Sequence, residues 1–126
     1  SNVKSIDCSY AQSFILTKYN ILKGFGSNKR NILGILSKNG CFEGPFKVFE
    51  PRNVLYGNKI INYDCGSSHM GCINDKNELY LFGSNSFGQC GISLKKNTCA
   101  HGNKIYGNEK IIQIKCGSHH SIIKTI

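Results

Sequence analysis

The sequence repeats itself, first at an offset of 57 residues, and this constrains its fold more than any other feature. The stretch Asp7-Cys8 through Gly34-Ile35 is echoed without a gap by Asp64-Cys65 through Gly91-Ile92. In that register Cys8, Asn20, Leu22, Phe25, Gly26, Ser27, Asn28 and Gly34 recur as Cys65, Asn77, Leu79, Phe82, Gly83, Ser84, Asn85 and Gly91. A third copy opens at Ile111 and restates Cys65-Gly66-Ser67-Ser68-His69 as Cys116-Gly117-Ser118-His119-His120. Repeats of this length are supersecondary units that cannot bury an apolar face alone, so they stack or arrange themselves radially. The third copy is short, and the reading expects an incomplete part of a larger array.

Each copy reads as strands. Two alanines stand against sixteen isoleucines, fourteen glycines and fourteen asparagines. β-Branched residues favour pleated strands, while Gly and Asn supply the turns between them. Ile112, Ile114 and Cys116 alternate with Gln113 and Lys115, the period of a strand with one buried face. The pattern predicts first strands over 3–8, 59–65 and 110–116, and second strands over 12–17, 69–74 and 120–125. Third strands are predicted over 21–26 and 78–83. Phe46 to Phe49, between Pro45 and Pro51, reads as a fourth, edge strand, with Lys104 to Tyr106 its weaker counterpart. The fold class is therefore all-β, in four-stranded antiparallel blades of a propeller. The units are expected at 3–58 (degenerate), 59–109 (full) and 110–126 (the start of a third).

The second copy closely resembles the repeat of the regulator-of-chromosome-condensation family. That family's pattern is a Cys-Gly-x-x-His turn, a strand, then aromatic-Gly-x-Asn-x-x-Gly-Gln-x-Gly. Here Cys65, Gly66 and His69 supply the turn, and Phe82, Gly83, Asn85, Gly88, Gln89 and Gly91 the rest. Cys116, Gly117 and His120 match the turn again. Cys8, Gly26 and Gly34 match in the first copy, where Ser9 replaces the turn glycine, Gln12 the histidine and Asn31 the loop glycine. Asn is a mild substitute, because it tolerates left-handed backbone better than other residues with a Cβ. The resemblance implies a seven-bladed β-propeller.

The same recurrence weighs against catalysis. Cys65-x3-His69 and Cys116-x3-His120 have zinc-ligand chemistry, yet one pair per blade would not converge on a point. The histidines are expected instead to bond backbone groups and pin the turn. Gly83, Gly88 and Gly91 follow a strand but precede no helix, so no positive helix end awaits a dinucleotide. No phosphate loop, paired-carboxylate motif or Ser-centred elbow is present. The expectation is a non-enzyme without cofactor or metal.

The odd count of seven cysteines, without a secretory signal, points to reduced thiols and an intracellular protein, nuclear or cytoplasmic. No apolar run is long enough to span a membrane. The net charge of +9 suits an acidic partner. Arg30, Arg52, Lys95 and Lys96 are the candidate partner contacts, the two arginines because only they grip an anion with two parallel bonds. The resemblance implies a protein-interaction propeller: part of a guanine-nucleotide exchange factor for a Ran-type small GTPase, docking on nucleosome or DNA. The alternative is a scaffold or substrate-recruiting segment of a larger protein such as a ubiquitin ligase. Open blade faces are expected to favour self-association.

Overall fold

A computed structural model describes residues 2–35, 47–91, 103–105 and 110–126. Ten strands follow in chain order. β1 (Val3–Cys8), β2 (Gln12–Thr17), β3 (Leu22–Ser27) and β4 (Lys47–Asn53) form one antiparallel sheet in sequence order. β5 (Ile60–Cys65), β6 (His69–Asn74), β7 (Leu79–Gly83) and β8 (Asn103–Ile105) form a second, and β9 (Ile111–Cys116) pairs with β10 (Ser121–Thr125) in a third. Among the described residues the only helical element is a 3₁₀ turn at Lys29–Asn31.

The same local bonds close each unit although the side chains differ. The turn after the first strand is tied by Ser9 N–H to the Gln12 carbonyl, Gly66 N–H to His69, and Gly117 N–H to His120. After the second strand, Asn20 and Asn77 take left-handed backbone, with φ of 61° and 62°. Thr17 Oγ1 accepts from Ile21 N–H in the first unit, and Asn74 Oδ1 accepts from Glu78 N–H in the second. Loop closure is repeated too. Asn28 Oδ1 accepts from Leu33 N–H at 3.1 Å, and Asn85 Oδ1 from Cys90 N–H at 3.0 Å, all buried. A short buried amide is what such a loop needs, because its inward N–H groups have no ladder partner.

The cores lie between sheets rather than within them. Phe14, Leu22 and Leu33 pack with Ile60, Met70 and Phe82 of the second sheet. Ile73, Leu79 and Leu81 pack with Ile111 and Ile114 of the third. All six residues of β6 are buried, since its sheet is covered on both sides. β1 is exposed throughout, and β10 leaves Ile122 and Ile123 exposed.

One cross-strand pair shows how the two sheets differ. Phe14 faces Gly24 on β3, whereas the equivalent pair in the second sheet is Gly71 facing Leu81. Large and small have changed places. A Cβ on Gly24 would press on the Phe14 ring at 3.2 Å, and one on Gly71 would stand 2.9 Å from both Leu81 and Ile114. The pair keeps one large side chain between adjacent sheets in either order, as close packing requires.

The fourth strand departs from the expected 46–49. β4 runs on through Pro51 to Asn53, and Phe46 lies outside the described residues. Its pairing with β3 shifts between Gly24–Arg52 and Gly26–Val48, leaving extra residues on the β4 side. Proline is tolerated there because a bulged edge position donates no ladder bond. The weaker counterpart is observed at Asn103–Ile105, and Tyr106 lies outside the described residues.

Gly71→Ala should lower stability by about 1–3 kcal/mol, as overpacking of a filled interior does. Denaturant unfolding of the purified variant would test this; an unchanged midpoint would show that the sheets do not press together at Gly71.

Candidate functional site

Antiparallel order brings two kinds of loop to one end of the molecule. The turns after β1, β5 and β9 open there, together with the loops after β3 and β7. Between the first two units they enclose a groove of about 530 Å³. Tyr10, Lys29 and Arg30 come to it from the first unit, Ser84 and Phe87 from the second, and His119 from the third.

Arg30 is the best-positioned charge in this groove. Its backbone is left-handed, with φ of 58°, inside the 3₁₀ turn. One terminal guanidinium nitrogen, Nη1, donates to Ser84 Oγ and Ser86 Oγ, both at 2.9 Å. The two hydroxyls are 3.0 Å apart and belong to the loop of the next unit. The arginine thus bridges the unit boundary and is anchored from the far side. Beside it Phe87 stacks on His119, with centroids 4.6 Å apart and an interplanar angle of 30°. Phe87 remains 69 % exposed and Tyr10 91 % exposed. Among the described residues, no Asp or Glu lines the groove.

The other candidate contacts are not gathered here. Arg52 lies exposed on β4 opposite Gly24 and does not line the groove. Lys95 and Lys96 lie outside the described residues. Tyr10, Phe87, His119 and the two serines were not singled out in the sequence. Only an aromatic inside a polar loop, Phe87, carried any signal.

The repeat positions meet across unit boundaries. A Cβ on Gly66 would collide with the Gly117 carbonyl and the His69 ring. In the first unit, where the ring is replaced by Gln12, Ser9 occupies the glycine position and its Oγ donates to the Gly66 carbonyl at 2.5 Å. Gly83 takes φ of 103° and Gly34 φ of 59°, the latter hard against the Phe82 ring. Gly26, Gly88 and Gly91 also have positive φ, and so does Asn31 at 55°. Gln89 turns its Oε1 back to Phe87 N–H. Cys8 is exposed on β1.

His69 has a backbone hydrogen bond to His120 and also a side-chain partner in the next unit. Its Nε2 lies 2.8 Å from Ser121 Oγ, a side chain of the next unit, and Ser121 Oγ in turn donates to the Gln89 carbonyl at 2.7 Å. The bond crosses units because β6 faces the start of β10, which spacing within one copy cannot reveal. Burial pushes the His69 pKa below the ordinary histidine range, and the neighbouring His120 and His119 add to this. His120 is exposed.

The thiols of Cys65, Cys72 and Cys116 are sequestered too. Burial holds Cys72 up at about 12 and Cys116 at about 11, and raises Cys65 with help from Asp7 and Asp64. Such groups stay protonated near neutral pH, so they are poor nucleophiles. Cys8, Cys65, Cys72 and Cys116 are free. Cys90 is disulfide-bonded, against the all-thiol expectation, since an odd count does not prevent two of seven from pairing. Among the described residues, no three His, Cys, Asp or Glu side chains stand together as a metal site. Nor is any helix of theirs long and apolar enough to cross a membrane.

Comparison with known proteins agrees with this architecture. Residues 76–123 match the family model described as the regulator of chromosome condensation (RCC1) repeat. The chain is 34 % identical over 96 residues to the X-linked retinitis pigmentosa GTPase regulator homolog of Caenorhabditis elegans, covering 76 % of this chain and 7 % of that protein. It is 25 % identical over 138 residues to the human RCC1-like G exchanging factor-like protein, covering 98 % of this chain and 30 % of that one. The crystal structure of Prp20p from Saccharomyces cerevisiae, reported with its binding properties to Gsp1p and histones, superposes with a TM-score of 0.81 at 18 % identity. That match covers 98 % of this chain and 31 % of Prp20p. The chain therefore spans under a third of each of these proteins.

The depressed His69 pKa has a definite sign. The unfolded chain binds a proton at this position at a pH where the folded chain does not, so stability contributed above the unfolded value near 6.5 is lost as pH falls through the folded value. His69→Gln, the residue present at the equivalent position 12, should lose the Ser121 contact, cost about 1 kcal/mol, and flatten the fall in stability below pH 6.5. Unfolding midpoints from pH 5 to 8 would test this; an equally steep acid decline in the variant would remove His69 as its cause.

Proposed function

We propose that this chain, which carries the repeat of the regulator-of-chromosome-condensation family, is part of an intracellular protein-interaction propeller that regulates a Ran-type small GTPase. The observation that carries this reading is the loop-end groove. It is lined from three units, holds a pre-positioned arginine beside exposed aromatic rings, and among the described residues contains no acid. Interfaces are enriched in such arginine and aromatic anchors. The names of two similar proteins, a GTPase regulator and a G exchanging factor-like protein, support the choice of partner. Prp20p was characterised with Gsp1p and with histones, which supports the same assignment and a second, chromatin-facing contact.

In this reading the chain makes and breaks no covalent bond. Exchange follows from loops that favour the nucleotide-free form of the GTPase, a population shift in its switch segments. The net charge of +9 would add electrostatic docking to nucleosomal DNA, where lysines position without reading sequence.

The decisive experiment uses the parent protein with a nucleotide-free Ran-type GTPase in a pull-down, and with the fluorescent-nucleotide-loaded GTPase in a release assay. Binding and faster release are expected; the lack of both removes the exchange role. Binding to DNA or nucleosomes should weaken steeply with salt, and salt-insensitive or undetectable binding would contradict the charge argument. The 126-residue chain alone should self-associate through the exposed apolar residues Ile6, Ile122 and Ile123. Light scattering that finds only monomer would exclude this.

A further inference from the structure

We infer that the groove between the first two units is a docking site for an acidic peptide segment, with Arg30 gripping a carboxylate and Phe87 and Tyr10 seating an adjacent apolar side chain. This rests on the reading of the loop-end face as a partner surface and names the chemistry of what it takes.

Arg30 is held at one corner of its guanidinium. Both of its protein contacts, Ser84 Oγ and Ser86 Oγ, are made through Nη1. Nε and Nη2 therefore keep their N–H groups, and these form one edge of the planar fork. An Nε/Nη2 edge matches the two oxygens of a carboxylate in parallel, charge-assisted bonds. The two serine contacts also remove much of the rotamer freedom that an exposed arginine would otherwise lose on binding. The result is a charge held in place on a surface whose described residues include no competing acid.

The surroundings decide between kinds of anion. Among the described residues, Lys29 and Arg30 are the only Lys or Arg side chains lining the groove. A nucleic-acid strand needs a succession of cations along its phosphates, and two side by side do not track a backbone. One fork beside largely exposed rings of Phe87 and Tyr10 instead suits a carboxylate next to an apolar side chain in an extended chain. Ser68 on the groove wall offers a hydroxyl to such a chain's main-chain groups, whereas Ser67 Oγ is already bonded to Ser118.

The test is fluorescence anisotropy with the full 126-residue chain and a fluorescein-labelled octapeptide of alternating Glu and Leu. Controls are the same peptide with Gln for Glu, and a ten-nucleotide oligothymidylate. Saturable binding of the acidic peptide is expected, with none for the Gln peptide. Arg30→Lys keeps the charge but loses the fork, and should weaken binding roughly tenfold. Phe87→Ala alters an exposed ring, leaves folding intact, and should weaken it several-fold. Circular dichroism like that of the parent chain qualifies each variant. Equal binding of the Glu and Gln peptides, no effect of either folded variant, or tighter binding of oligothymidylate would overturn the inference. Peptide binding that survives while the GTPase response is missing would count against the exchange role and not against this site. A protein that releases nucleotide normally but ignores the acidic peptide would do the reverse.

Discussion

Every sheet of this chain depends on its neighbour for burial, and the rest of the structure follows from that dependence. A strand pair with one apolar face is marginal in water, and the two cores here are built between sheets. Phe14 and Leu22 have no interior of their own sheet to enter; they enter the space against Ile60, Met70 and Phe82. Burying such side chains is worth about 1.5–3 kcal/mol each, so the contact between units carries much of the stability. It also sets how near two backbones come. Gly66 against the Gly117 carbonyl and Gly34 against the Phe82 ring are places where a Cβ would hold the units apart.

The polar chemistry obeys the same rule. Asn62 Oδ1 and Asp64 Oδ2 on β5 accept from the backbone N–H groups of Ile114 and Cys116 on β9, at 3.0 and 2.7 Å. His69 reaches Ser121, Ser9 reaches Gly66, and Arg30 reaches Ser84 and Ser86. Each is a side chain of one unit bonded to the next. A residue that looks like a ligand or a base when read within one copy is therefore committed across a boundary. The groove is the exception that makes a surface: Arg30 is tied at one nitrogen, and the rest of its fork faces the space between loops.

Much of the fold was legible because the repeat restates it. The first three strands of each of the first two units and the two of the third, eight in all, fell within a residue or so of the pattern, since period-two alternation and Asn turns are local signals. The fourth strand was not, because whether a proline stops an edge strand depends on a bulge in its pairing. The site was legible only in part. Arg30 stood out as one of two arginines, but its serine anchors lie 54 and 56 residues away, and the Phe87–His119 stack joins different units.

The sequence by itself determined the unit: which residues turn, which alternate, and which glycines and asparagines take left-handed backbone. Those are properties of a few neighbouring residues, so a string of letters contains them. Tertiary structure decided the partners. The exchange of Phe14–Gly24 for Gly71–Leu81, the turning of His69 toward Ser121, and the aiming of Arg30 all depend on the distance and angle between successive sheets. No spacing within a repeat encodes that relation, because it exists only once two units are packed.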